Sequence, residues 1–377
     1  NVPPQQLRPT RPGGSEPHYA FKVVFKGESV EGEGGPYRQF FTDVSRELVD
    51  VLPLFVPCPN AQAGVGENRD KIVPAASLDD AHHLQLYGFI GRLMGMAMRT
   101  STLLPLDLPA TFWKPVVGVR ADSDDLRRID TTFYRYLDYV RAARRRDFEG
   151  ESRRLYAQYE VMLSDRTVLP LPLPSGATTI DVQYDHRHYY TDVAERARLA
   201  EARRQVAAVR RGLGEIVPLP LLSLFTWRDV EARVCGRPYI DVELLRRHTE
   251  YRGVSADAKH IQYFWEVLQE MSQQQRRRFV RFAWAQERLP ADDAEFERMG
   301  TRMLIKAYTG GGDADAAFPR ADTCFLNLML PAYSSKSVLR ERLMTAINMD
   351  SDSMNADQPE SMADVLAGGG GGEEGGG

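Results

Sequence analysis

The sequence predicts an α+β protein built from two units. Its 377 residues exceed the length of one typical domain. Apolar residues recur with helical spacing in many segments, and short runs rich in β-branched and aromatic residues are typical of strands. The break Cys235-Gly236-Arg237-Pro238 contains the two residue types that most often interrupt regular structure. We therefore expect helices and strands in both units, with a boundary near residue 235.

The first elements follow a linker. Residues 1–18 are rich in Pro and Gly and are predicted to form that linker. Residues 19–25 are aromatic and β-branched, which favours a strand, and 32–36 are typical of a turn. A helix is predicted over 37–51, and its apolar face contains Phe40, Phe41, Val44 and Leu48.

The rest of the first unit is predicted to be mainly helical. Residues 58–70 have a loop composition, and 84–98 form a helix whose Gly88, Gly91 and Gly95 allow close packing. A further helical region is expected over 126–164. Residues 169–176 break it, 179–182 are a candidate strand, and 190–211 are dominated by strong helix formers.

The second unit alternates helices with strands. Apolar residues at helical spacing predict a helix over 261–271, and Ser272 with Gln275 predicts a capping box at the start of the next helix. Strands are expected over 303–308 and 325–330, and a final helix has its apolar stripe between 338 and 347. Residues 350–377 are acidic and rich in Gly, so we expect a disordered tail.

Composition excludes several classes of protein. No run of about 18 apolar residues predicts a membrane span, and the start has no signal-peptide pattern. The first residue is not Met, so the chain is expected to be a fragment. The net charge of −4 includes an acidic tail, and the Arg-rich run at 141–146 is interspersed with acids, so no nucleic-acid partner is expected. Three scattered cysteines are typical of a reducing, cytoplasmic location.

Cys324 is the candidate nucleophile, because a polar segment leads through it directly into an apolar strand. The alternative from spacing alone is a buried structural cysteine, the usual state of a free thiol. A cysteine peptidase would also need a histidine base, and none of the seven histidines lies in a peptidase signature. No metal-binding pattern occurs, and neither a metal nor another cofactor is expected.

The residues around Cys324 resemble a known active-site motif. The segment Ala321-Asp322-Thr323-Cys324-Phe325-Leu326-Asn327-Leu328, followed by Pro331-Ala332-Tyr333-Ser334, is similar to that of HECT-type ubiquitin ligases. Other landmarks of the family occur in order between residues 19 and 349. They are Gly34-Gly35-Pro36-Tyr37-Arg38-Gln39-Phe40-Phe41, Gly88-Phe89-Ile90-Gly91-Arg92-Leu93, Phe112-Trp113-Lys114, Thr249-Glu250-Tyr251, Phe264-Trp265-Glu266-Val267-Leu268 and Arg288-Leu289-Pro290. Details of these segments resemble the large HERC subgroup.

This resemblance implies a role for each residue of the motif. Cys324 would accept ubiquitin as a thioester from a ubiquitin-conjugating enzyme and pass it to a lysine of a protein substrate. Asp322, Thr323 and Phe325 would support the loop. Asp322 stands where many members have His, and a carboxylate there should not lower the pKa of the thiol. The alternative is an inactive HECT-like scaffold that binds conjugating enzyme or ubiquitin without transfer.

The resemblance also implies a bilobal architecture. A mostly helical N-lobe would span 19–235, with a conjugating-enzyme-binding part over about 139–195. Gly236, Arg237 and Pro238 would form a flexible hinge, and a smaller α/β C-lobe would span 239–349. Tyr190 matches an aromatic position that the family uses to contact the conjugating enzyme, and ordinary packing is the alternative for it.

Overall fold

The computed structural model describes residues 3–8, 19–24, 34–149, 153–177, 179–323 and 326–356. Cys324, Phe325 and the tail from residue 357 therefore lie outside the described residues, as does most of the predicted linker. The chain divides into two compact units. The terminal unit consists of Asn1–Leu52, Met96–Pro105 and Glu231–Gly377, and the central unit consists of Pro53–Gly95 and Leu106–Val230.

Helices dominate the described residues. They are α1 (Gly34–Asp50), α2 (Pro59–Ala63), α3 (Ala81–Thr100), α4 (Ala110–Val116), α5 (Ser123–Arg127), α6 (Thr131–Ala142), α7 (Arg145–Phe148), α8 (Arg187–Ala200), α9 (Arg203–Ile216), α10 (Leu219–Leu222), α11 (Trp227–Cys235), α12 (Val242–Arg247), α13 (Lys259–Glu270), α14 (Gln273–Trp284), α15 (Asp293–Met299) and α16 (Lys336–Ala356). Short 3₁₀ helices occupy Pro4–Leu7 and Tyr184–His186. The strands are β1 (Phe55–Pro57), β2 (Ile72–Pro74), β3 (Glu160–Met162), β4 (Val168–Pro170), β5 (Thr249–Arg252), β6 (Met303–Ala307), β7 (Arg320–Asp322) and β8 (Asn327–Leu330).

A four-stranded sheet forms the framework of the terminal unit. Its strand order is β5-β6-β8-β7; β5, β6 and β8 are parallel, and β7 pairs antiparallel with β8. Helices α13, α14 and α16 pack together, and α14 also contacts β7 and β8. Large apolar side chains such as Phe264, Trp265 and Leu328 fill the core between these elements. Burial of this apolar surface is the main force that holds the sheet and helices together.

The capping box predicted at the start of α14 is confirmed. The Ser272 hydroxyl accepts a hydrogen bond from the Gln275 backbone N–H at 3.3 Å, and the Gln275 side chain accepts one from the Ser272 N–H at 2.9 Å. The two bonds satisfy donors that the first turn of a helix leaves open. The boundary between α13 and α14 is therefore set by local sequence.

Two helices of the central unit approach closely through glycine. A Cβ atom added to Gly91 of α3 would overlap the Val209 carbonyl oxygen and lie 2.7 Å from the Leu213 N of α9. One added to Gly95 would lie 2.5 Å from the Ile216 Cβ. The predicted close packing is thus confirmed for these two glycines. Gly88 differs, because its added Cβ would find only an ordinary contact at 3.8 Å.

Several predicted elements take a different form. Residues 19–24 are not a strand, because the rings of Tyr19 and Phe21 pack on Tyr37 of α1 instead. The region 126–164 is not one helical stretch: it contains α6 and α7 and then β3, and 190–211 is divided between α8 and α9. Asp181 forms an isolated bridge with Gln158, so 179–182 is not a regular strand. Helix α16 continues to Ala356, beyond the expected start of the tail at residue 350.

Candidate active site

Strands β7 and β8 hold the loop that contains the candidate nucleophile. They pair with Asp322 opposite Asn327, so residues 323–326 connect the two strands. Thr323 and Leu326 are described, whereas Cys324 and Phe325 are not. Leu326 has a φ of 52°, in the left-handed region that non-glycine residues seldom adopt. The two paired strands therefore fix both ends of a four-residue loop.

Asp322 lies at the end of β7 and is half-buried. The Asn327 side-chain amide donates to its carboxylate at 3.4 Å, and Asn327 itself is buried at the start of β8. This contact links the two strand ends that flank the loop. A supporting role for Asp322, Thr323 and Phe325 remains a prediction.

Helix α1 contributes Arg38, a residue of one family landmark to which the sequence assigned no role at this loop. The Arg38 Nη2 atom donates to the carbonyl oxygen of Thr323 at 2.8 Å. Only 9% of Arg38 is exposed, and its guanidinium lies 5.8 Å from the centre of the Trp284 ring. The two bonded residues are 285 positions apart, so no local pattern could have predicted their contact.

The predicted hinge residues follow α11 directly. Gly236 has a φ of 66°, and a Cβ atom there would lie 2.7 Å from the Leu289 carbonyl oxygen. The Arg237 N–H donates to that same oxygen at 3.2 Å, and the Pro238 oxygen accepts from Arg277 Nε at 3.1 Å. Glycine is required at residue 236 by both its backbone conformation and the lack of space. The last point at which the chain passes from one compact unit to the other lies earlier, between Val230 and Glu231. The hinge role itself remains a prediction.

A groove of about 850 Å³ opens in the central unit. Side chains from α2, α6, α8, β3 and the start of β4 line it. Its rim contains exposed apolar and aromatic side chains, namely Tyr136, Tyr156, Met162 and Val168. Met162 is 62% exposed. Exposed apolar side chains gathered around one concavity are typical of a surface that binds another protein.

Tyr190 of α8 lines this groove and is only 4% exposed. Its ring packs edge-on against Tyr136 and Tyr159, and its hydroxyl lies 3.4 Å from the Tyr136 hydroxyl and from the Glu160 carbonyl oxygen. Burial raises the pKa of the Tyr190 hydroxyl further above neutral pH. Tyr190 therefore supports the exposed rim from below.

A buried ion cluster contributes side chains to the lining of the groove. Arg198 of α8 donates to Asp130 at 2.6 Å, to Glu201 at 3.0 Å and to the Ser164 hydroxyl at 3.0 Å. All four side chains are buried. Burial opposes the charge of Arg198, but Glu201 and Asp130 outweigh it, and the pKa of Arg198 is raised. Removing one partner would leave a buried charge uncompensated, so the cluster holds α6, α8 and the residues after β3 in one arrangement.

The other two cysteines are buried and form no disulfide bond with a described residue. Cys58 donates to the Asn68 carbonyl oxygen at 3.3 Å, and burial raises the pKa of its thiol. A thiol with a raised pKa is a poor nucleophile at neutral pH.

Histidine and carboxylate side chains form no metal site in the part of the chain that the structure describes. No group of three or more His, Cys, Asp and Glu side chains is arranged there to hold an ion. His248 is instead bonded to Asp293 at 2.8 Å and stacked on Phe296. Among the described helices, none combines the length and apolar character that crossing a membrane requires.

Comparison with known proteins identifies the family. The model of the HECT-domain (ubiquitin-transferase) family matches residues 42–356, which include the loop between β7 and β8. The resemblance expected from the loop motif and the ordered landmarks is therefore confirmed.

Individual relatives agree with this result. The human E3 ubiquitin-protein ligase HERC2 is 36% identical over 342 residues, which cover 88% of this chain and 7% of HERC2. The human probable E3 ubiquitin-protein ligase HECTD4 is 31% identical over 94% of this chain and 10% of its own length. The Arabidopsis thaliana E3 ubiquitin-protein ligase UPL1 is 28% identical over 88% of this chain and 9% of its own length. The chain thus spans a tenth or less of these three relatives, and it belongs to the HECT-domain family.

Proposed function

We propose that this chain is the catalytic domain of a ubiquitin-protein ligase that carries ubiquitin as a thioester on Cys324. The observation behind this proposal is the family match, which includes the loop between β7 and β8. In the proposed first step, the Cys324 thiolate attacks the thioester carbonyl that joins ubiquitin to the conjugating enzyme. The conjugating enzyme's cysteine leaves as a thiolate, and a new thioester forms on Cys324.

In the second step, the amine of a substrate lysine attacks the Cys324 thioester. An isopeptide bond forms, the Cys324 thiolate leaves, and the amine loses a proton to solvent or to a nearby base. Dividing the transfer between two thioester steps is covalent catalysis. The first step exchanges one thiol for another, so it needs only a modest fraction of thiolate near neutral pH. The presence of Asp rather than His at residue 322 is compatible with this chemistry.

We further propose that the groove of the central unit binds the conjugating enzyme. Most of the residues on its rim, and Tyr190 in its floor, fall within the 139–195 segment. The exposed apolar rim suits an apolar loop of a protein partner, and the buried ion cluster keeps it preorganised. The buried thiol of Cys58, which donates to a backbone carbonyl oxygen and forms no disulfide bond, supports a reducing compartment such as the cytoplasm.

A trapping experiment tests the function. The chain is mixed with a conjugating enzyme already charged with ubiquitin, and products are separated with and without a reducing agent. We expect an adduct that the reducing agent removes, and none with Cys324→Ala. Cys324→Ser should give an oxygen ester that survives the reducing agent, and peptide mapping should locate it at residue 324. Cys58→Ala is the matched control and should still form the reducible adduct.

Two other outcomes would contradict the proposal. Binding of the charged conjugating enzyme without any adduct would indicate the scaffold alternative. An adduct that persists in Cys324→Ala would assign the chemistry to another residue.

A further inference from the structure

One face of α1 contacts both the segment just after α14 and the first residue of the candidate active-site loop. Arg38, Thr42 and Arg46 lie four residues apart, so they share a helix face. Thr42 donates from its hydroxyl to the Ala285 carbonyl oxygen at 3.0 Å, and Arg46 bonds the Glu287 carboxylate at 3.2 Å. Arg38 completes the row with its bond to Thr323.

The Arg38 bond reaches a different segment from the bonds of Thr42 and Arg46. Thr42 and Arg46 bond the segment just after α14, whereas Arg38 holds the peptide oxygen of the residue immediately before Cys324. Thr323 follows the last residue of β7, where strand pairing no longer restrains the backbone. The Arg38 bond therefore restrains the loop at the point where the sheet stops doing so.

Burial makes this bond stronger than a surface contact. Arg38 is 9% exposed, so little water competes for the Thr323 oxygen, and hydrogen bonds from a charged donor are about twice as strong as neutral ones. Trp284 stacks near the guanidinium and limits its movement. The donor is thus held in place before any partner binds.

We propose that Arg38 is a positioning residue for the ubiquitin transfer: by holding the Thr323 carbonyl, it sets the position of the Cys324 loop for attack on the incoming thioester. The inference depends on the proposed function and adds to it a residue outside the loop motif. Arg38 acts through Thr323 and forms no bond with ubiquitin in this role. Its effect should fall on the rate of the exchange step rather than on the affinity for the conjugating enzyme, because the bond lies in the terminal unit and the groove in the central unit.

The test replaces Arg38 with Met, which keeps packing volume beside Trp284 but removes the donor and the charge. Adduct formation on Cys324 is followed at several concentrations of charged conjugating enzyme. Misplacing a reacting group by about 1 Å can cost about 100-fold in rate, so we expect Arg38→Met to lower the maximal rate by about 10- to 100-fold. The concentration that gives half the maximal rate should stay within about twofold of wild type, because uniform binding is unchanged.

Two variants separate positioning from general stability. Arg46→Met makes the same substitution on the same helix face and removes a bond to Glu287, so it should form the adduct at the wild-type rate. Arg38→Lys keeps a charged donor and should recover most of the lost rate. Urea unfolding of each variant confirms that it is folded. Should Arg38→Met fail to fold, Arg38→Leu, which also lacks a donor, takes its place, with the same expected loss in rate.

A wild-type rate in folded Arg38→Met, or in the Leu variant that replaces it, would overturn the proposal. An increased rate would also overturn it, because the bond would then restrain the loop against transfer. A slow rate that Arg38→Lys does not recover, or that Arg46→Met reproduces, would reduce Arg38 to a structural role. Failure of the proposed function is distinct from all of these, since the wild-type chain would then form no adduct on Cys324.

Discussion

Met162 stands on the rim of the proposed conjugating-enzyme groove, and Met162→Ala should weaken binding without unfolding the chain. The side chain is 62% exposed, so a partner seated on the rim can bury most of it. Complete burial of a Met side chain is worth about 1.5–3 kcal/mol, and the exposed part accounts for about 1–2 kcal/mol of that. This corresponds to a dissociation constant about 5- to 30-fold higher.

The binding assay uses the Cys324→Ala background, so that no transfer complicates the equilibrium. Leu224→Ala is the matched control, because Leu224 is an exposed apolar side chain of the same unit that does not line the groove. We expect Met162→Ala to raise the dissociation constant and Leu224→Ala to leave it unchanged. Equal affinity of Met162→Ala and the parent, or a loss with Leu224→Ala instead, would refute the assignment of the groove.

Three further predictions concern stability and self-modification. In urea unfolding, Gly91→Ala should lower the free energy of unfolding by about 2 kcal/mol or more, because the added Cβ meets the backbone of α9. Gly88→Ala has room for its Cβ and should raise the free energy of unfolding by up to about 1 kcal/mol. Equal unfolding midpoints for the two variants would contradict the packing argument. Gln286 is 1% exposed and neither of its amide atoms has a hydrogen-bond partner among the described residues, so Gln286→Met should raise the free energy of unfolding by about 1 kcal/mol; a clear loss of stability would reveal a partner for the amide. Lys22 and Lys259 are the exposed lysines among the described residues. Mass spectrometry of a self-ubiquitylation reaction should find most linkages within the described residues at these two lysines. An undiminished amount of linkage to the described residues in the variant with both lysines replaced by Arg would contradict this.

Local patterns predicted much of the helical structure. The apolar stripes of α1, α3, α13 and α16 were visible because helical periodicity depends on neighbours three and four residues away. The Ser272 capping box was visible for the same reason. The aromatic run at 19–24 failed as a strand because no partner strand is available to it among the described residues, and aromatic packing on α1 replaced pairing.

The candidate site was only partly predictable. The resemblance pointed to the loop around Cys324 and to Tyr190, both of which belong to short continuous motifs. The Arg38 bond to Thr323 and the cluster of Arg198 with Asp130 join residues far apart in sequence, so their roles depend on tertiary packing. Helix α1, which the resemblance placed in the N-lobe, belongs to the terminal unit together with the four-stranded sheet. The lobe boundaries themselves remain a prediction.

Single-turnover transfer of labelled ubiquitin tests the central proposal most directly. A conjugating enzyme charged with labelled ubiquitin is mixed with the chain and a substrate lysine, unlabelled ubiquitin is added as a chase, and samples are taken over time. The account predicts that label appears first on the chain as an adduct sensitive to reducing agent and then moves to lysine, and that Cys324→Ala shows neither step. Label that reaches lysine at the wild-type rate in Cys324→Ala would contradict it.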